Sequence, residues 1–333
     1  CVTGVQTCAL PIFRVTRNSE LVVDEADFRA RASRFRDAFA AFLDKEVVPH
    51  QEEWEAAGMV DRSVWRKAGE MGFLLPWADE QYGGAGLKDF RYEQIMCEEL
   101  ARINEPGFMI PLHSALCGPY IAEYGSAEQK ARLLPGIISG ETILAVAMTE
   151  PSAGSDLAGL ATRAVRDGDD WIVTGQKVWT SGAHNAQWAI LVARTDPDQP
   201  KHKGLTYFLC DMSDPGIDVR PLRQITGEAE FNEVYFSDAR IPDEHRLGAV
   251  GNGWNVAMTT LMNERSALGG SGNRRGAGTI AEAVSLWASR PDLQTPVLRD
   301  RLTTLWLRSE AQRLTSERSR AAATVGGPGP EGS

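Results

Sequence analysis

The sequence predicts a multidomain α+β protein: an N-terminal α-helical domain, a central antiparallel β-barrel or sandwich, and a C-terminal helical bundle that is incomplete. Three observations carry this reading. Apolar residues recur at helical spacing from about Asp24 to Gly140. From Thr142 the pattern changes to short β-branched and aromatic segments separated by turn clusters, and helical spacing returns after Gly251-Asn252-Gly253. At 333 residues the chain also exceeds what one core usually serves. The expected boundaries are 24–141, 142–250 and 251–333.

Within the first region, Asp24 is placed to cap a helix that aligns Phe28, Phe35, Phe39, Phe42 and Val47 near one face and stops at Pro49. Asp61 opens a second helix with Val64, Trp65, Ala68 and Met71, closed by Gly72. Tyr92, Met96, Leu100 and Ile103 stripe a third. Pro106 to Tyr124 is apolar almost all round, as a buried segment would be. Ser126-Ala127-Glu128-Gln129 has the spacing of a capping box.

The second region offers strands at Ala161–Arg166, Trp171–Thr174, Gln187–Arg194, Gly204–Asp211 and Phe231–Phe236, with Asp167-Gly168-Asp169-Asp170 and Asp196-Pro197-Asp198 as turns. In the third, Trp254, Met258, Leu261, Arg265 and Leu268 share a helix face bordered by Glu264, and a later helix runs from Leu298 to Ala323. The two ends read differently. Residues 1–13 lack an initiator Met, a basic leader and any periodicity, resemble translated library-adapter sequence, and are set aside. The Gly- and Pro-rich stretch 326–333 reads as a connector, so the chain is expected to be a fragment.

A net charge of −10 argues against nucleic acid or an anionic membrane as the main partner. No apolar run approaches the roughly 18 residues of a membrane span. The five cysteines (Cys1, Cys8, Cys97, Cys117 and Cys210) have no metal-binding spacing, which favours reduced thiols, no metal and a cytoplasmic location.

Two stretches carry chemistry. In Ala147-Met148-Thr149-Glu150-Pro151-Ser152-Ala153-Gly154-Ser155-Asp156-Leu157-Ala158-Gly159, a strand-like approach ends in a loop of hydroxyls and small residues. Such a loop lays backbone N–H groups and short hydroxyls against a flat, partly anionic ligand. About thirty residues on stands Gly175-Gln176-Lys177-Val178-Trp179-Thr180-Ser181-Gly182. Together they resemble the flavin-binding elements of the acyl-CoA dehydrogenase family. The likeness extends from about Asp24 to Ser333, through Tyr82-Gly83-Gly84 and Asn263-Glu264-Arg265.

The resemblance implies FAD as cofactor and α,β-desaturation of an acyl-CoA thioester, with an electron-transfer flavoprotein as electron acceptor. On it, Met148, Thr149, Gly154, Ser155, Trp179, Thr180 and Ser181 form the cofactor site. Thr149 would bond the isoalloxazine edge, and Ser155 would meet a pyrophosphate, serving substrate as well as cofactor. Trp179 would pack on the ring, and the Ser181 hydroxyl, where many relatives carry Thr, would face N5. Fixed dipoles near a reduced flavin raise its electron affinity, and an adjacent aromatic excludes water.

Glu264 is the candidate base, since α-proton removal needs a carboxylate held over that carbon, and apolar shielding raises its pKa. Arg265 would either contact the CoA or hold the helix by an ion pair. The family likeness also implies a homo- or hetero-oligomer, dimeric or tetrameric. An Arg-x-x-Phe-Gly segment common in relatives is missing from Leu286–Leu298 (LWASRPDLQTPVL). That departure keeps open a non-catalytic or half-site subunit of a heteromer. A flavin oxidase or monooxygenase on the same fold is the third reading.

Overall fold

The computed structural model describes residues 25–105, 107–225, 227–258, 275–276 and 279–323. Helix α1 (Glu25–Glu46) is followed by α2 (Gln51–Ala57), α3 (Arg62–Glu70) and α4 (Arg91–Ile103). The anticipated face of α1 is buried: Phe35, Phe39 and Phe42 surround Phe73, with ring centroids 4.9–5.7 Å from it. Each buried phenylalanine removes apolar surface worth about 2 kcal/mol from water. Asp61 does cap α3, accepting from the Ser63 amide at 2.7 Å. Helix α2 was not foreseen; its Trp54 is buried beneath charged neighbours that hide the period.

The apolar stretch before Tyr124 becomes a π-helical turn (Leu112–Cys117) leading into α5 (Gly118–Tyr124). The Ser114 carbonyl there accepts from Trp77 Nε1 at 2.9 Å, so the widened turn is bonded from outside the helix. Ser126 and Gln129 form the reciprocal capping box that opens α6 (Ala127–Ile138).

Next comes an eight-stranded sheet, β1 (Leu144–Ala147), β2 (Arg163–Asp167), β3 (Asp170–Lys177), β4 (Trp188–Arg194), β5 (Leu205–Asp211), β6 (Ile217–Leu222), β7 (Phe231–Pro242) and β8 (Arg246–Leu247). Its path runs β6-β7-β3-β2-β4-β5-β8, with β1 joined to β4. Pairing is mainly antiparallel, as expected, but β1 and β2 both join β4 in parallel. The half-exposed β6, whose Asp218 and Arg220 interrupt the apolar pattern, was not anticipated.

Alternation explains how the sheet joins the helices. Ile190 and Val192 of β4, and Leu205, Tyr207 and Leu209 of β5, enter the same core as the phenylalanine cluster. The intervening Ala189, Leu191, Ala193, Phe208 and Cys210 enter a second core with Trp171, Val173, Val234 and Phe236. Both faces of β4 and β5 are thus covered, which is why these strands read as unbroken apolar runs.

Helix α7 opens at 253 and is described through 258, and α8 (Thr279–Ser289) pairs with α9 (Pro296–Ala323). Glu310 of α9 accepts from the Gly276 amide and pairs with Arg313. Among the described cysteines, Cys117 and Cys210 are buried and all three are free thiols. No helix among the described residues is long and apolar enough to cross a membrane.

Candidate active site

The two chemistry-bearing stretches are fastened directly to each other. Strand β1 delivers Met148, whose carbonyl accepts from Lys177 Nζ at 2.9 Å, and the Thr149 carbonyl accepts from the Val178 amide, also at 2.9 Å. Glu150 turns inward and pairs with the same Lys177 ammonium at 2.8 Å. Its carboxylate also accepts from the amides of Ala161 and Thr162, closing the first loop back on itself.

Lys177 is fully buried and the Glu150 side chain nearly so. Burial pushes Lys177 down to about 8 against the opposing pull of Glu150. Burial alone would raise Glu150, but Lys177 and the loop amides hold it below the ordinary carboxylate range. A buried pair this well bonded fixes geometry, because neither partner can leave without stranding a charge. Gly175 permits the close approach behind it. A Cβ there would stand 2.5 Å from Thr162 Oγ1, and the β3–β7 register slips between Val173 and Gly175.

The first loop is a two-bond turn between Glu150 and Ala153 followed by a 3₁₀ turn at Leu157–Gly159. Arg194 holds that turn through the carbonyls of Ala158 and Leu160. Its outer surface is open. Gly154 and Ser155 are exposed, Thr149 is half-buried, and a Cβ at Gly154 would meet no atom within 4 Å.

The second loop leaves β3 with Trp179 in the left-handed region, φ 60°, an unusual conformation for a bulky residue. Trp179 is 52% exposed and meets the Phe231 ring edge-on, with centroids 5.7 Å apart. Among the described residues, no other ring covers Trp179. Thr180 is buried, and its hydroxyl finds no hydrogen-bond partner among the described residues. An open cradle, an outward-turned tryptophan and an orphan hydroxyl fit a flat, polar-edged ligand.

Ser181 and Gly182 also line a cavity of about 570 Å³ between sheet and helices. Its apolar wall includes Trp54, Trp65, Met109 and Leu112, and its rim carries Glu105 and Glu230. Burial raises the Glu105 carboxyl above its ordinary value, with Glu230 and Glu55 adding repulsion. Glu264 and Arg265 lie outside the described residues. The sequence reading quoted Glu150 and Lys177 without giving them a role. The signal was there in the parity of β3, where Trp171, Val173 and Lys177 are all buried positions.

Three domains of one family match along the chain: acyl-CoA dehydrogenase, N-terminal domain over residues 30–141, middle domain over 145–239 and C-terminal domain over 251–332. Acyl-CoA dehydrogenase FadE34 of Mycobacterium tuberculosis is 41% identical over 280 residues, 83% of this chain and 38% of that protein. Acyl-CoA dehydrogenase IpdE1 of the same organism is 40% identical over 257 residues, 77% of this chain and 65% of its own length. The chain therefore spans less than two thirds of either relative. The crystal structure of acyl-CoA dehydrogenase from Geobacillus kaustophilus superposes with a TM-score of 0.81 at 35% identity, covering 89% of this chain and 80% of that one. This chain belongs to the acyl-CoA dehydrogenase family.

Proposed function

We propose that the protein carrying this chain is an FAD-dependent acyl-CoA dehydrogenase that converts an acyl-CoA to its 2,3-enoyl-CoA and passes electrons to an electron-transfer flavoprotein. The observation that carries the reading is the fastening of two ligand-facing loops by Lys177 beside a cavity of mixed polarity. FAD, when bound, supplies the hydride acceptor. Thr149 and Ser155 offer hydroxyls to its polar edge and phosphates, and Gly154 keeps the approach clear of side chain. Trp179 covers one side and keeps water from the reacting face, and Ser181 orients its hydroxyl toward the ring.

Glu264 takes the α-proton of the thioester in this reading, and Arg265 contacts the CoA or steadies the helix. The assembly is a dimer or tetramer, of like or unlike chains. The test uses the full-length protein reconstituted with FAD. Anaerobic addition of an acyl-CoA series should bleach the flavin, and Glu264→Gln should lower the bleaching rate by roughly 10²- to 10⁴-fold while leaving FAD bound. Unchanged bleaching in that variant removes Glu264 as the base. Flavin that no acyl-CoA bleaches removes the dehydrogenase and leaves an oxidase or monooxygenase.

A further inference from the structure

The second loop holds a bulky residue in a backbone region that bulky residues avoid, so something outside the loop must over-determine it. Three consecutive residues, Glu230 just before β7 and Phe231 and Asn232 at its start, do so. The Glu230 carbonyl accepts from the Gly182 amide at 2.9 Å. The Phe231 ring meets Trp179 edge-on. Asn232 exchanges two backbone bonds with Thr180, each 3.1 Å long.

Any residue could supply that backbone pair; the Asn232 side chain supplies more. It is fully buried, and Nδ2 donates to the Thr180 carbonyl at 3.0 Å and to the Glu230 carbonyl at 3.4 Å. With Nδ2 committed to two carbonyls, Oδ1 is left as the acceptor for His184 Nδ1, 3.1 Å away. The other ring nitrogen, Nε2, stands 3.2 Å from the Gly58 carbonyl in the turn between α2 and α3, and both contacts are hydrogen bonds only in the imidazolium, which carries a hydrogen on each nitrogen. Arg62, the first residue of α3, donates to the Asn185 carbonyl at 2.7 Å, a second tie between the helical domain and the segment after the loop.

We infer that Asn232 is a positioning residue for the flavin site. Its side chain clamps Thr180 from beneath, turns Trp179 outward, and links the loop through His184 to the helical domain. The inference rests on the FAD reading for its function, and on the hydrogen bonds alone for its geometry.

The test compares Asn232→Ala, which keeps the backbone pair, with His184→Ala, which removes the contacts to Asn232 Oδ1 and to Gly58 but keeps the Asn232 bonds to Thr180 and Glu230. Hydrogen exchange of the apoprotein should show the Thr180 and Gly182 amides exchanging roughly tenfold faster in Asn232→Ala, with β4 and β5 unchanged. His184→Ala should give a smaller acceleration confined to residues 182–185. In the reconstituted protein, Asn232→Ala should weaken FAD binding by about tenfold and broaden the long-wavelength flavin band, a signature that global destabilisation does not produce in the folded fraction. Should Asn232→Ala fail to fold, His184→Ala carries both measurements, with a two- to threefold loss of FAD affinity expected at about this level of disturbance. Wild-type exchange at Thr180 in Asn232→Ala or, should that variant not fold, wild-type exchange across residues 182–185 in His184→Ala overturns the clamp. Faster exchange in a protein that never binds FAD leaves the clamp standing and overturns the cofactor reading instead.

Discussion

The two loops at the site are held by opposite means. The first is fixed from inside by charge: Lys177 and Glu150, both buried, hold Met148 and the Ala161–Thr162 backbone to one ion pair. The second is fixed from outside by neutral hydrogen bonds to β7, and stores its tension in one left-handed tryptophan. A charge anchor tolerates little, because removing one member strands the other in a medium that cannot solvate it. A neutral anchor yields by degrees. The first loop therefore depends on one charge pair, and the second on several neutral bonds whose losses are graded.

The sharpest way to break that contrast is Lys177→Met. It should cost about 3–5 kcal/mol in urea unfolding by leaving Glu150 buried and unpaired, and Lys177→Met with Glu150→Gln should recover most of the loss. A double variant no better than the single would show that the pair is not the anchor. Next in size is an acid effect on the support of the first loop. His113 is fully buried, with Nε2 facing the Ile137 carbonyl at 3.0 Å and Nδ1 facing the Leu144 amide at 3.4 Å, where β1 begins.

Burial pushes His113 down from 6.5 to about 4. A folded-state value below the unfolded one means its stability contribution is complete above 6.5 and lost as pH falls through 4. At about 1.4 kcal/mol per unit, the loss approaches roughly 3 kcal/mol. Unfolding midpoints measured from pH 7 to pH 4.5 should fall with this slope, and His113→Asn should flatten it. The smallest effect belongs to the outer face of the same loop. The exposed Lys201–Asp156 pair, 2.8 Å apart, should contribute less than about 0.5 kcal/mol, so Lys201→Ala should leave the midpoint nearly unmoved. A larger loss would mean that the first loop depends on its surface as well as its buried pair.

Much of this architecture was legible in advance because local rules were obeyed. The α1 phenylalanines, the Asp61 cap and the Ser126–Gln129 box each write their element in a few neighbouring residues. Other elements were not legible because tertiary contact decided them. Helix α2 shows a single buried residue, and β6 exists by pairing with β7 through Ile217 and Leu222 despite its charges. The two loop motifs stand out in the sequence, but their mutual attachment does not, since Met148 and Lys177 are 29 residues apart and meet through the fold.

The amino-acid sequence by itself determined the helix–sheet–helix order, the family, and the residue types in the two loops. Periodicity, caps and turn residues act over one or two turns of chain, and motif likeness needs no coordinates. The tertiary structure decided which groups those residues meet. It buried a lysine whose charge now holds one loop, left Trp179 half exposed among the described residues, and set Asn232 against Thr180. Those outcomes depend on which strands become neighbours and on what burial does to a charge or an unpaired hydroxyl. Neither is a property of any stretch of sequence read alone.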